Sequence, residues 1–281
     1  MPEYGALDLH IENQVATIKI LGHEEASARA KAGKGTPGGR HREMADVFDA
    51  LRADDSVRVI VLTGAGPHFA ITATHEQYTN PARLAVDSSN NWRNFGSLVR
   101  VHQAMCEIEK PIVAKVNGHA VGFGHSMVFA SDIIVAREDA LLMDHHMGGV
   151  MTITEDGQEK HVGHEFSSVP GDGGAQLLPL YMSPAKAKEY LMLAEPHTAK
   201  ELAQLGIINY AVPADQLDGK VDEIVQKLLR RGAYPLAWTK RIVNRRVADQ
   251  LNRTLDAAVG YEMVGFLYRE KQGGEEKRTL S

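Results

Sequence analysis

A chain of 281 residues, 43% hydrophobic and 24% charged, has ordinary globular composition and can bury a large core without a disulfide or metal staple. A formal net charge of −5, with Lys and Arg interspersed among Asp and Glu, excludes a basic stripe for a phosphate backbone, so no nucleic-acid partner is expected. No apolar run approaches the roughly 18 residues a bilayer span needs, and MPEYGALDLHIENQ carries acids where a signal peptide is basic. No membrane association is expected, and the expected address is cytoplasmic.

In chain order, Val15–Ile20 alternates apolar and polar and predicts a strand; Val57–Thr63 is a β-branched run that predicts a second. Between them, Glu24 to Arg42 is rich in Ala, Gly, Lys and Arg and reads as a mobile surface loop. A helix follows over Arg42–Arg52, with Met44, Val47, Phe48 and Leu51 on one face. After His68-Phe-Ala-Ile-Thr-Ala73 comes a polar loop through Asn90, then helical periodicity over Trp92–Glu109. The lone cysteine, Cys106, lies on the apolar face of that helix and reads as a core residue rather than a reactive thiol. Pro111 ends the helix, Ile112–Val116 is a short buried strand, Ala120–Ala130 is a glycine turn feeding a helix, and Asp132–Ala136 is another strand.

Met151–Val162 alternates on both sides of Asp156-Gly157 and predicts a β-hairpin flap. From Pro184 onward the pattern is mostly helical: Ala185–Leu193, Ala199–Leu205, Leu217–Arg231 and Leu236 to the region of Glu270, with Lys271–Arg278 as a frayed tail. Strand–helix alternation of this kind predicts an α/β layered fold. The organisation expected is a core over residues 1–183, with an inserted flap at 150–168, and a helical region over 184–281.

The run Lys110-Pro-Ile-Val-Ala-Lys-Val-Asn-Gly118, then Gly122-Phe-Gly124 and Ser131-Asp-Ile-Ile-Val-Ala136, resembles the core signature of the crotonase (enoyl-CoA hydratase/isomerase) superfamily. Val169-Pro-Gly-Asp-Gly-Gly174, Tyr190–Leu193 and Ala199–Asn209 continue the resemblance in order, from roughly Val15 to Tyr268. It implies a crotonase spiral of ββα units, a helical C-terminal trimerisation region, and a homotrimer or a dimer of trimers. It also implies an oxyanion hole made by the backbone N–H groups of Ala73 and Phe123. Fixed dipoles aimed at developing negative charge are often the largest catalytic contribution, about 3–4 kcal/mol per donor. For Gly122 and Gly124, the simpler reading is turn geometry.

The departures decide the expected chemistry. Hydratases of this family place two glutamates where this chain has Ser126 and His146, and Ser126 is a poor acid or base for adding water to a double bond. The Asn-Arg-Pro turn after the first strand is replaced by Leu21-Gly-His-Glu-Glu25, the Ala-Asp pair after the oxyanion residue is Ala73-Thr74, and the late basic clamp is truncated, all of which weaken the case for a CoA thioester. What remains resembles the β-diketone hydrolase branch of the superfamily. That resemblance implies catalytic roles for His125, for His146 or its neighbour His145, for Asp172 and for Glu262, with the segment between His146 and Asp172 as a long insertion.

The expected reaction is hydrolytic C–C cleavage of a 1,3-dicarbonyl compound, a retro-Claisen reaction with no cofactor, in which His146, oriented by Asp172, activates water. Each residue also has a plainer reading. Asp172 suits a turn or helix cap, and Glu262 occupies a helix position where the wider family often has a glutamate. Among thirteen histidines, His10, His23, His41, His68 and His197 read as solvated. Asp144-His145-His146 suggests metal ligation with Asp172 or His164, but adjacent histidines on an extended chain point to opposite faces, so no metal is expected. Two alternatives stand beside the hydrolase: an enoyl-CoA hydratase or isomerase acting on an acyl-CoA, and a non-catalytic scaffold of the same fold.

Overall fold

The computed structural model describes residues 3–35, 39–71, 88–155 and 157–272; side chains of 88–94 and 266–272 are outside the description. Six strands form the main sheet, in the order β1-β2-β3-β4-β6-β11: β1 (Leu7–Glu12), β2 (Val15–Ile20), β3 (Val59–Gly64), β4 (Ile112–Val116), β6 (Ile133–Arg137) and β11 (Tyr210–Val212). Only β1 and β2 are antiparallel; every other neighbouring pair is parallel. A smaller sheet has the order β10-β7-β5, from His197–Thr198, Leu141–Met143 and Ala120–Val121.

The parallel strands are continuous β-branched runs because both faces of the sheet are covered. One face joins the main core with α2 (Gly39–Ala53) and α3 (Ser88–Glu107) through Met44, Phe48, Leu98 and Val101. On the other, Val59, Val61, Val113 and Val135 pack against Leu217, Val221, Ile224 and Val225 of α8 (Leu217–Leu229). Further helices are α4 (Phe123–Phe129), α5 (Gly174–Tyr181), α6 (Pro184–Leu193), α7 (Ala199–Gln204) and α9 (Ala233–Gln272). The long α9 packs along α3 and α5, which carries Glu262 back over the middle of the chain.

Three differences from the expected elements have clear causes. Leu7–Glu12 is a strand, paired with β2 across a turn in which Asn13 and Gln14 take φ 50° and 67°, the left-handed pair a tight hairpin needs. Buried Glu43 holds the start of that strand, accepting from the amides of Gly5 and Ala6 at 3.0 and 2.7 Å. Within the segment read as a mobile loop, His23–Lys31 is a helix, α1. None of its residues is buried, so no apolar face announces it; alanine propensity and the Arg29 bridges to Glu25 and Asp8, both 2.7 Å, hold it. The helices over 42–52 and 92–109 begin earlier than expected, at Gly39 and Ser88.

The flap is the antiparallel pair β8 (Val150–Glu155) and β9 (Gln158–Gly163). Its Met151, Ile153 and Val162 pack on Val121 and Met143, so it is seated on the small sheet with a core of its own. The polar loop over 72–87 and the tail beyond Gln272 lie outside the described residues. Among the described residues, no helix is long and apolar enough to cross a membrane. Cys106 is buried, and burial pushes its thiol up to about 11, as a core residue requires.

Candidate active site

The turn from β5 into α4 depends on glycine twice. Gly122 takes φ 61° and ψ −123°, a conformation only glycine adopts without strain, and a methyl group on Gly124 would lie 2.2 Å from the Ala70 carbonyl oxygen. The amide of Ser126 closes the first helical bond onto Gly122, so the amides of Phe123, Gly124 and His125 have no acceptor within the helix. Phe123 therefore stands where a backbone donor is available. Ala73, its expected partner, lies outside the described residues.

After β7 the chain turns instead of extending: the amides of Gly148 and Gly149 both donate to the His145 carbonyl, at 3.1 and 3.0 Å. The expectation that His145 and His146 point to opposite faces fails for that reason. Their ring centroids are 4.7 Å apart, and His145 also meets His164 edge-on at 4.5 Å. His146 is the centre of the site. Its Nδ1 bonds Asp144 Oδ1 at 2.7 Å, and its backbone N–H donates to the same oxygen at 3.1 Å. Its Nε2 lies 3.5 Å from Glu262 Oε1 and 3.8 Å from Asp172 Oδ2. Ser126 Oγ donates to Asp172 Oδ1 at 2.9 Å. The orienting carboxylate is thus Asp144, two residues away, and not Asp172, which faces the opposite ring nitrogen.

Every member of this cage is at most 5% exposed, which makes the electrostatics strong. Burial disfavours the imidazolium, yet Asp172 and Asp144 outweigh it and hold His146 well above its usual value. Burial would raise Asp144, but the facing His146 keeps it well below the ordinary carboxylate range. Glu262 is raised, chiefly by burial against the partial opposition of His146. His145 is pushed well below 6.5 by burial, with His146 and His164 adding to the effect. The resting cage is an imidazolium among carboxylates, beside a neutral His145.

The turn carrying Asp172 is moulded by glycines. A methyl group on Gly171 would lie 2.7 Å from Glu262 Oε2, on Gly173 2.2 Å from His102 Nε2, and on Gly174 2.1 Å from Asp144 Oδ2. Backbone there approaches polar side chains more closely than any side chain at these positions would allow.

His146, Asp172 and Glu262 come together as expected, and His145 adjoins them. His125 is turned elsewhere: its Nε2 contacts Tyr190 Oη at 3.1 Å, Tyr190 donates to the Leu142 carbonyl at 3.0 Å, and the ring packs against Phe129. Tyr190 thereby accepts from Nε2–H, and burial keeps this histidine neutral, down at about 4. Asp144 and Ser126 are site residues that sequence reasoning did not assign; the signal for Asp144 was its i, i+2 spacing from His146.

Of the five histidines read as solvated, His10 is exposed and the other four are half-buried, three of them against a ring. His68 stacks on His119 at 4.9 Å, His41 meets Phe123 edge-on at 4.4 Å, and His197 stacks on Tyr190 at 4.8 Å; each is polar in sequence context but faces a ring in space. Among the described residues, Asp144, His145 and His146 offer donor atoms within 4.8 Å of one another, but Asp144 and His146 are engaged with each other. A cavity of about 470 Å³ between α3, α5 and α9 is lined by His102, Cys106, Phe129, Leu177, Lys240 and Leu251 among others, and by none of the cage residues.

The sequence profile described as "Enoyl-CoA hydratase/isomerase" matches residues 39–263. The chain is 25% identical over 233 residues to a crotonyl-CoA hydratase of Syntrophomonas wolfei, covering 83% of this chain and 81% of that protein. It is 28% identical over 200 residues to the carnitinyl-CoA dehydratase of Escherichia coli, covering 71% and 68%. Among solved structures, an enoyl-CoA hydratase/isomerase from Mycobacterium paratuberculosis matches with a TM-score of 0.77 at 24% identity, over 95% of this chain and 96% of that one. A β-diketone hydrolase from the cyanobacterium Anabaena, bound to (S)-3-oxocyclohexyl acetic acid, matches with a TM-score of 0.73 at 21% identity, over 95% and 96%. With the profile running from α2 to Met263 and the fold shared along nearly the whole chain, this protein is a crotonase-superfamily enzyme and belongs to the enoyl-CoA hydratase/isomerase family.

Proposed function

We propose that the enzyme hydrolyses a carbon–carbon bond of a 1,3-dicarbonyl substrate by a retro-Claisen mechanism. The observation that carries this reading is the carboxylate-bound imidazole of His146 standing where hydratases of the family have a glutamate, with Ser126 committed to Asp172 at the other glutamate position. Adding water to an enoyl thioester uses two carboxyl groups around one water molecule; a His–Asp unit suits generating hydroxide for attack on a carbonyl.

In the proposed cycle, His146 with Nε2 unprotonated takes a proton from water. Hydroxide adds to one carbonyl carbon, forming a tetrahedral oxyanion beside the amide of Phe123. Collapse breaks the C–C bond, and the electron pair moves onto the second carbonyl as an enolate. The proton on Nε2 returns to the enolate carbon, with Glu262, whose proton affinity is raised, 3.5 Å away to relay it, and this leaves a ketone and a carboxylic acid and restores the base. Atoms balance with one water consumed, and the second carbonyl is the electron sink, so the chemistry calls for no cofactor. Asp144 keeps the imidazole oriented throughout, and Asp172 sets the charge at Nε2. The Anabaena β-diketone hydrolase has the same fold, which is compatible with this chemistry.

The test is product analysis in ¹⁸O-labelled water with a panel of cyclic and bicyclic 1,3-diketones. Label in a new carboxylate is expected; its absence across the panel would overturn the proposal. A second reading, action on an acyl-CoA, is favoured by the names of the curated relatives. Turnover of an enoyl-CoA, with thermal stabilisation by CoA thioesters, would support it instead. We further propose a homotrimer or dimer of trimers, supported by the exposed Tyr234, Trp238, Ile242 and Val243 on α9.

A further inference from the structure

We propose that His102 is a positioning residue, whose ring fills the notch left by Gly173 and so fixes the Gly171–Gly174 turn with Asp172 against His146. This rests on His146, Asp172 and Glu262 being the acid–base machinery of the site.

His102 projects from α3, otherwise apolar on this face, and is 1% exposed. Its Nδ1 is 2.8 Å from the Leu98 carbonyl. A carbonyl only accepts, so Nδ1 carries the proton and Nε2 is left with a lone pair. That nitrogen has no hydrogen-bond partner among the described residues. It points at Gly173, where an added methyl would lie 2.2 Å from it and about 3 Å from both neighbouring ring carbons. Gly173 has φ 117°, so the backbone next to Asp172 is held in a conformation that glycine alone adopts readily.

A buried imidazole with one unsatisfied nitrogen is an expensive way to fill space that Leu or Met would fill at no polar cost. The ring does something an aliphatic side chain cannot. It is flat and rigid, and the Leu98 bond pins it at one end, so the other end meets the turn at a fixed place. Behind it lies the cavity it shares with Cys106, Phe129 and Leu177, which offers little to stop a flexible side chain from retreating. Asp172 needs such support. Its side chain has Ser126 on Oδ1, but Oδ2 stands 3.8 Å from His146 Nε2, beyond direct bonding distance. Ser126 anchors one oxygen, and the backbone of the turn governs how close the other comes to His146.

The test uses His102→Asn, which keeps an N–H donor near Leu98 but removes the half of the ring that meets Gly173, alongside His102→Ala. Two readouts apply. The first is His146 titration by NMR of histidine-labelled full-length protein; the groups facing that ring are Asp144, Asp172, Glu262, His145 and His125. With Asp172 relaxed away, the His146 midpoint is expected to fall by about one unit or more. The second is kinetics on any diketone the parent hydrolyses, where kcat is expected to fall about tenfold to a hundredfold while KM changes less than about twofold. Variants that melt earlier but leave His146 titrating as in the parent would make His102 ordinary packing and overturn the proposal.

If the parent turns over no diketone, the proposed reaction fails, and the titration still decides the role of His102. If neither variant folds, the ring nitrogens of the parent decide it. A neutral Nδ1–H tautomer at pH 7 is required, and an Nε2–H tautomer or an imidazolium would overturn the assignment.

Discussion

His146 keeps its second proton because Asp144 and Asp172 outweigh the cost of burying an imidazolium. The pH dependence follows with a definite sign. The base form appears only above the raised folded value, so kcat/KM is expected to climb with an apparent midpoint above 6.5, measured as a pH–rate profile. His146 contributes stability fully below about 6.5, and this is lost as pH rises through the folded value. The neutral His119 and His125, both lowered to about 4 by burial, act in the opposite direction. They favour the unfolded chain progressively as pH drops from 6.5 toward 4. For a ring buried as fully as His125 the loss is about 3 kcal/mol, so urea midpoints are expected to fall across that interval. His146→Gln is expected to lower kcat by about a hundredfold to ten-thousandfold. Asp144→Asn should lower the His146 titration midpoint in NMR, because it removes one of the anions that hold the proton. At this scale, His146, Asp172 and Glu262 were legible because the family resemblance fixed their order along the chain. Asp144 and Ser126 were not, because their roles depend on which way a side chain turns after a strand or within a helix.

Elements with an apolar stripe or a β-branched run were legible with small boundary differences, and elements held by other forces were not. Helix α1 has no buried face, so periodicity could not find it; β1 was passed over although Leu7, Leu9 and Ile11 alternate with Asp8, His10 and Glu12. The flap hairpin was legible from Asp156-Gly157 between alternating runs. Its packing onto Val121 and Met143 was not, because nothing local says which sheet receives it. Ile153 is 3% exposed in that small cluster, so Ile153→Ala is expected to cost about 2–4 kcal/mol, read as a lower urea midpoint. The base of the flap reaches the cage through the Gly149 amide, which donates to the His145 carbonyl at 3.0 Å, and a methyl group added at Gly163 would lie 2.1 Å from the Gly149 carbonyl oxygen. We therefore expect deletion of the flap to alter activity or substrate range; a deletion variant matching the parent in both would remove it from the site's design.

Over the whole molecule, the α/β architecture was legible from strand–helix alternation, but the assembly of the site was a matter of distance. Asp144, Asp172 and Glu262 follow β7, precede α5 and ride on α9, and no local pattern brings them to one imidazole. The apolar surface of α9 belongs to this scale too. Trp238→Glu places a charge in the middle of the exposed Tyr234–Ile242 stripe, and it is expected to convert the proposed trimer to monomers in light-scattering measurements while the sheet remains folded.

The long reach of α9 carries a temporal consequence. During synthesis the main sheet, β7 and the glycine turn all emerge before Glu262 does. Glu262, 3.5 Å from His146 Nε2, is the last member of the cage to be made, so a chain cut before α9 is expected to leave that side of the ring uncovered and its proton open to exchange with water. Slow exchange at this ring is then expected only once the C-terminal segment has docked.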